Sequence, residues 1–160
     1  MGWVILFISM QINKGFTLLE LIIVIIIIGI LATVGFSTYT TQVESSRAAE
    51  ARAQMGSMRK LAYEYYLKNG SMDDIEDSDV EVDNTCRTTA YFRYQLGNTA
   101  SNCVNLRADR CTSGGKFPNA SSSYSFGLSY FPGTSLSKWY ANDAVAAQVT
   151  GAPQGGSICP

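Results

Sequence analysis

The sequence predicts an α+β protein in which a long N-terminal helix packs on a small antiparallel sheet that is stapled by disulfides. Three observations predict this fold. The 21 residues from 16 to 36 carry a single charge. Small and apolar residues then recur at helical spacing as far as residue 68. The remaining segment contains all four cysteines and three runs in which polar and apolar residues alternate.

The first of these segments is long enough to cross a membrane. Twenty-one helical residues rise about 31 Å, close to the ~30 Å of a bilayer core. The run from Phe16 to Phe36 is apolar on every side, whereas a surface helix would show a polar stripe. We therefore expect a membrane-spanning helix. Glu20 is the exception, because a carboxylate costs free energy there unless it stays at the interface or meets a positive partner.

The residues around Gly15 carry a specific resemblance. Lys14 to Glu20 read KGFTLLE, and the apolar run 21–36 follows directly. Cleavage after Gly15 would place a free ammonium on Phe16, one helical turn from Glu20. This segment resembles the N-terminus of type IV pilins and type II secretion pseudopilins. The resemblance implies cleavage between Gly15 and Phe16, N-methylation of Phe16, and pairing of Glu20 with a neighbouring subunit's N-terminus.

The same resemblance implies where the protein acts and with what partners. It implies a homo-oligomeric helical filament, a prepilin peptidase, an inner-membrane assembly platform, a precursor in the inner membrane and an extracellular pilus. The family's mid-helix glycine has a counterpart in Gly29, and the aromatic residue beyond the membrane segment has one in Tyr39. Where the family often has proline, this chain has Ser37. Gly29 and Gly35 are therefore the expected points of helix flexibility.

The chain is expected to divide into four parts. Residues 1–15 form the leader, 16–36 the hydrophobic helix, 37–68 its amphipathic continuation, and 69–160 a globular head. Residues 1–9 read MGWVILFIS, which is unlike the short polar leaders of the family. We therefore expect the true start at Met10, the alternative being a genuine 15-residue leader.

The second segment is expected to continue the helix to about Lys68, with Asn69 and Gly70 as its stop signal. One stripe along it is apolar or small: Ala48, Ala51, Met55, Met58, Ala62 and Tyr65. The sheet is expected to pack against this stripe.

The acidic loop that follows spaces Asp77, Asp79, Glu81 and Asp83 in a way that suggests calcium. Val82 and Thr88 do not fit an EF-hand loop, so the wet face of an extended segment is the simpler interpretation.

Three later runs alternate with the period of a strand. They surround Phe92–Leu96, Val104–Asp109 and Tyr124–Tyr130, with turns expected at residues 97–101 and 112–115. The region 139–149 is expected to add a fourth strand. The tail 150–160 is rich in glycine and proline and is expected to be irregular.

Four cysteines without a C-x-x-C pair indicate disulfides rather than zinc or redox chemistry. Three pairings are open. A hairpin that turns near Asn98 pairs residues whose numbers sum to about 197, which favours Cys86–Cys111. That leaves Cys103 with Cys159. Each bridge is expected to contribute ~2–4 kcal/mol.

Composition excludes several functions. Without histidine there is no Ser-His-Asp triad and no His-ligated metal, and no G-x-S-x-G motif is present. We expect no enzymatic activity and no cofactor. The net charge of −1 indicates no nucleic-acid partner.

The alternatives to a pilus subunit are a secretion pseudopilin and a membrane-anchored binding module that does not polymerise. The lack of acids after Asp143 favours a pilus subunit over a pseudopilin with a C-terminal calcium loop.

Overall fold

The computed structural model describes residues 15–159, so the expected start at Met10 and leader residues 1–14 lie outside the described residues. Helix α1 spans Leu18–Asn69, which confirms the prediction of one long helix. It ends where Gly70 adopts a left-handed conformation (φ 73°) and donates its N–H to the Tyr66 carbonyl at 2.8 Å. The described chain forms two compact units, one ending at Tyr39 and the other, the head, beginning at Thr40.

Within the head, α1 contributes the stripe predicted from its sequence. Ala48, Ala51, Met55, Met58 and Ala62 are buried, and Tyr65 packs against the core while half-exposed. The stripe follows the 3.6-residue period, so small residues let the sheet approach the helix closely. From the sheet side, Phe92, Leu106, Phe126 and other buried apolar residues complete a single core.

The sheet has four antiparallel strands in the order β1-β2-β3-β4. They are β1 Phe92–Ala100, β2 Cys103–Arg110, β3 Ser125–Phe131 and β4 Leu136–Ala141. The region 139–149, expected to add the fourth strand, contributes the end of β4 and then a short helix, α2 Ala144–Thr150. Asp143 caps α2, because its carboxylate accepts the Ala146 N–H at 2.8 Å.

The expected register of the first hairpin is wrong. The strands turn at Ser101 and Asn102, Ala100 pairs with Cys103, and a register shift lies between Leu96 and Thr99. Paired residues therefore sum to about 202, not 197. The predicted turn residues 97–100 instead extend β1. The pairing Cys86–Cys111 is nevertheless present. It does not depend on the register of the ladder, because both cysteines lie outside the ladder, in segments that flank β1 and β2.

The second bridge, Cys103–Cys159, ties the C-terminal tail to the start of β2. The tail lies on the sheet face opposite α1. Its Ile158 N–H donates to the Ser129 hydroxyl at 3.2 Å, and that hydroxyl donates to Asn105 Oδ1 at 2.6 Å. Asn105 also donates to the Ser157 hydroxyl. This cover buries Asn105 and Ser129, which strand alternation alone would leave exposed.

The acidic segment was expected to be extended, but its backbone is helical. Asp77–Val80 forms a 3₁₀ helix, followed by Glu81 in a left-handed conformation (φ 52°). Val80 is buried under it, while Asp77, Asp79 and Glu81 face solvent. The wet acidic face is therefore present, although the backbone that presents it is helical.

A buried arginine joins the helix to the loops of the head. The Arg110 side chain is 0% exposed and forms two ion-pair contacts with the Glu44 carboxylate, at 3.1 and 3.3 Å. Its remaining N–H groups donate to the carbonyls of Tyr91, Cys111 and Pro118 at 3.0–3.2 Å. All five guanidinium donors thus have acceptors, which a buried cation requires.

Glu44 holds the other side of this cluster. Its carboxylate also accepts the Tyr124 hydroxyl at 3.0 Å and pairs with Arg47. Burial raises the pKa of Glu44, but the contacts with Arg110, Tyr124 and Arg47 together outweigh it and place that pKa below its ordinary value. Burial and the neighbouring Glu44 charge raise the pKa of the Tyr124 phenol well above its usual range.

Candidate processing and assembly site

The expected cleavage site lies in exposed, non-helical chain. Gly15, Phe16 and Thr17 precede α1, and the Phe16 side chain is 75% exposed. A Cβ at Gly15 would meet nothing within 4 Å, and its φ is not in the left-handed region. No intramolecular constraint within the described residues therefore demands glycine at this position, so a preference for glycine there would come from a processing enzyme.

Thr17 and Glu20 form a capping box at the start of α1. The Glu20 N–H donates to the Thr17 hydroxyl at 3.2 Å, while Glu20 Oε2 accepts the Thr17 N–H at 3.0 Å and its hydroxyl at 2.9 Å. Such reciprocal bonds satisfy two orphan donors of a helix N-terminus. The sequence analysis missed Thr17, although the pattern T-x-x-E before an apolar run is the signal for this cap.

The capping box leaves half of the carboxylate free. Both hydrogen bonds from Thr17 end on Oε2, and no described residue donates to Oε1. The rotamer of Glu20 is fixed by its own helix while one oxygen faces solvent. Among residues 15–159, no contact to Oε1 would have to break before a positively charged group from outside the chain reaches it.

The helix behind this cap exposes apolar side chains around its whole circumference. The segment from Leu18 to Phe36 contains fourteen large apolar or aromatic side chains that are between 40% and 76% exposed. This is the one helix among the described residues that is long and apolar enough to cross a membrane, by length and composition. A single chain buries none of this surface, which indicates a lipid or protein environment for it.

The expected points of flexibility lie inside α1. Gly29 and Gly35 are helical, and a Cβ at either would meet nothing within 4 Å. Tyr39 is 67% exposed.

The acidic loop does not assemble a metal site: across residues 15–159, no group of three or more acidic or cysteine side chains is arranged to hold an ion.

Comparison with known proteins places the N-terminal segment in a defined class. Residues 10–36 match the family described as the prokaryotic N-terminal methylation motif. Over between 36% and 40% of its length the chain is also similar to fimbrial subunits. It is 45% identical over 60 residues to the fimbrial protein EcpC of Eikenella corrodens, 38% of this chain and 39% of that protein. The family match at residues 10–36 includes the cap, the apolar run and the residues at which cleavage is expected.

Two further relatives are major pilins. The chain is 41% identical over 58 residues to the type IV major pilin protein PilE of Neisseria gonorrhoeae, 36% of this chain and 35% of that one. It is 40% identical over 64 residues to the type IV major fimbrial protein FimA of Dichelobacter nodosus, 40% and 39% of the two chains. The resemblance to the type IV pilin family is thereby confirmed. The aligned part spans less than two fifths of these relatives' lengths.

Proposed function

We propose that this chain is the structural subunit of a type IV pilus-like filament. In this proposal the precursor resides in the inner membrane through residues 16–36. A prepilin peptidase cleaves it between Gly15 and Phe16 and methylates the new amine, and an assembly platform adds it to an extracellular filament. The observation that carries the proposal is the capped Glu20, whose free oxygen stands at the head of an apolar helix.

Electrostatics explains what Glu20 would do. A carboxylate and an ammonium about 4 Å apart attract each other far more strongly in a low-dielectric helix bundle than in water. Desolvation of both charges opposes this attraction, so the net stabilisation is small. The pair would instead fix the axial register of neighbouring helices, because any slip leaves both charges buried without a partner at a cost of about 3–5 kcal/mol.

The apolar helix suits both of the environments that the proposal requires. Before assembly its side chains are solvated by lipid. In the filament they are buried against identical helices from other subunits. Both environments are apolar, so transfer between them involves little hydrophobic free energy. Packing between helices and the Glu20 contact would then determine the axial position of each subunit in the filament.

The assembly experiment substitutes Glu20. We expect Glu20→Ala and Glu20→Gln to leave membrane levels and both disulfides intact but to abolish or severely reduce filaments. Glu50→Ala, which replaces an exposed glutamate on the same helix in the head, is the matched control and should assemble normally. The readout is electron microscopy of sheared filaments, with immunoblots of the membrane fraction. Normal filaments from Glu20→Ala at normal subunit level would refute the charge pair. A wild-type chain that reaches the membrane but forms no filaments would instead favour a membrane-anchored binding module.

Processing is tested by intact mass. We expect the membrane-extracted chain to begin with N-methyl-Phe16 in a cell that contains prepilin peptidase. Gly15→Ala should be cleaved in part, whereas Gly15→Val should retain residues up to the scissile bond. Because a side chain at Gly15 meets nothing in the fold, uncleaved Gly15→Val should still show both disulfides. A wild-type chain that retains Lys14 and Gly15 in such a cell would contradict the processing step.

A further inference from the structure

The head separates its unpaired charges by sign. Six exposed acidic residues follow α1 and define the acidic loop: Asp73, Asp74, Glu76, Asp77, Asp79 and Glu81. The loop runs along the outer edge of β1, because the Met72 N–H donates to the Ser101 carbonyl and the Leu96 N–H donates to Asp77 Oδ1. Among residues 15–159, none of the six carboxylates forms an ion pair. The loop is therefore a predominantly negative surface. Lys68 of α1 lines a cavity together with Asp79 but forms no ion pair with the loop.

The opposite edge carries positive charge. Its basic surface consists of four residues: Arg52, Arg59, Lys60 and Lys138. Arg52 lies over the Trp139 ring at 5.4 Å, and Arg59 lies over the Tyr130 ring at 5.8 Å, so both guanidinium groups are held on the β3–β4 side. Arg59 and Lys60 line a groove of about 540 Å³. In the described part of the chain, none of these four cations has a carboxylate partner.

Among residues 15–159 the two surfaces form no ion pair with each other. The acidic loop borders β1 and the basic surface borders β4, at the two ends of the sheet order. Three interstrand spacings separate the outer strands by about 14 Å. The five ion pairs among the described residues all involve other cations. The net charge is nevertheless only −1, so the pattern is dipolar rather than uniformly charged.

We propose that the basic surface of one subunit binds the acidic loop of a neighbouring copy of this chain. This inference rests on the proposed function, because a filament supplies neighbours related by a repeated rotation and rise. Two different, complementary surfaces make a heterologous contact, and such contacts propagate as open helices rather than close as two-fold dimers. Each exposed charge pair is weak and sensitive to salt, but the contact recurs at every subunit.

Zero-length cross-linking of filaments tests the contact directly. A water-soluble carbodiimide joins a carboxylate and a lysine amine as an amide, and the reagent takes up the water as its urea. In sheared wild-type filaments we expect dimer-sized species whose peptide maps link Lys60 or Lys138 to residues 73–81. The same treatment in about 1 M NaCl, where the Debye length is about 3 Å, should reduce these links severalfold. Intermolecular links that map only elsewhere would overturn the proposal.

Charge reversal tests whether the two surfaces pair. The basic-surface variant is Lys60→Glu with Lys138→Glu. The acidic-loop variant is Asp74→Lys with Glu81→Lys, two residues whose side chains make no hydrogen bond within the described chain. We expect each to lower sheared-filament yield at least about fivefold, and the quadruple variant, which restores net charge and complementarity, to recover most of it. Lys116→Glu, an exposed lysine outside both surfaces, is the control.

The outcomes separate this inference from the proposed function. If wild-type chains form no filaments, the proposed function is refuted. The proposed contact, which requires neighbouring subunits in a filament, is then refuted with it. If wild-type filaments form and both double variants assemble normally, the contact is overturned while the function stands. If both double variants fail and the quadruple variant is not rescued, with disulfides and membrane levels intact, the pairing of these two surfaces is also overturned.

Discussion

Replacement of Arg110 tests the packing of the head. Arg110→Met removes a fully buried cation and leaves the Glu44 carboxylate with Tyr124 and Arg47. Three loop carbonyls lose the arginine donor, although two of them keep a backbone N–H donor. Removal of one partner from a buried pair costs about 3–5 kcal/mol. Because the Glu44 side chain remains 23% exposed, we expect the lower end, about 3 kcal/mol. Glu44→Gln keeps the shape and should cost about 1.5–3 kcal/mol.

The matched control is Arg107→Met in the same strand. Arg107 is 41% exposed, and its partner Asp109 keeps contacts with Arg93 and Gln95, so the loss should be at most about 1 kcal/mol. The assay is urea unfolding of the full chain in mild detergent, followed by fluorescence. Replacing Trp3 by Phe leaves Trp139, which packs against the core, as the only fluorophore of its type. Equal losses for Arg107→Met and Arg110→Met would refute the reasoning.

The pH dependence provides a second readout of this cluster. The folded-state pKa of Glu44 lies below its ordinary value of 4.5. Its contribution to stability is therefore present above pH 4.5 and is lost as the pH falls through the folded-state pKa. The stability difference between wild type and Glu44→Gln should accordingly shrink below pH 4.5. A difference that stays constant from neutral pH down to about pH 2 would contradict the ion pair with Arg110.

Four further outcomes are expected. Thr17→Ala should weaken the α1 cap by about 1 kcal/mol and reduce filament yield, whereas Thr17→Ser should behave as wild type in sheared-filament assays. Gly127→Ala should destabilise the head by about 1–3 kcal/mol in urea unfolding, because a Cβ there would lie 2.6 Å from the Leu106 carbonyl oxygen. Gly56→Ala, where a Cβ meets nothing within 4 Å, should instead stabilise α1 by up to about 1 kcal/mol in the same assay. Non-reducing peptide maps should show Cys86–Cys111 and Cys103–Cys159, and free thiols in the extracted protein would contradict the bridged fold.

The parts of the fold that local periodicity determines were predictable. The apolar stripe of α1 and the three alternating runs reappear as the helix and β1, β2 and β3, because their patterns require only a neighbouring core. Helix α2 had a local signal that was missed: Asp143 before an alanine-rich stretch and Gly151 after it are the expected caps. The Thr17 capping box was missed in the same way, although its T-x-x-E pattern is present in the sequence.

Long-range features were not predictable from the pattern. Arg110 and Glu44 are 66 residues apart, and only the docking of β2 on α1 brings them together. Asn105 reads as an exposed position of an alternating strand, but the tail covers that face through the Cys103–Cys159 bridge. The first hairpin turns about three residues later than expected, at Ser101 and Asn102, and the alternation does not reveal where the polar segment 97–102 turns. These features depend on tertiary packing, which local propensity does not determine.

The interleaving of the two bridges has a mechanical consequence. Their sequence separations are 25 and 56 residues, and the loops they close overlap between Cys103 and Cys111. The shortest covalent path from Cys86 to Cys159 therefore runs through the two bridges and the overlap between Cys111 and Cys103. Under tension this path extends to about 30–40 Å, whereas an open chain between the same residues would extend to roughly 250 Å. Every strand lies within a covalently closed loop, whereas α1 lies outside both. Under load the part of the head after Cys86 can lose its packing yet release little length. Almost all of the length that a pulled subunit gains therefore comes from the chain before Cys86.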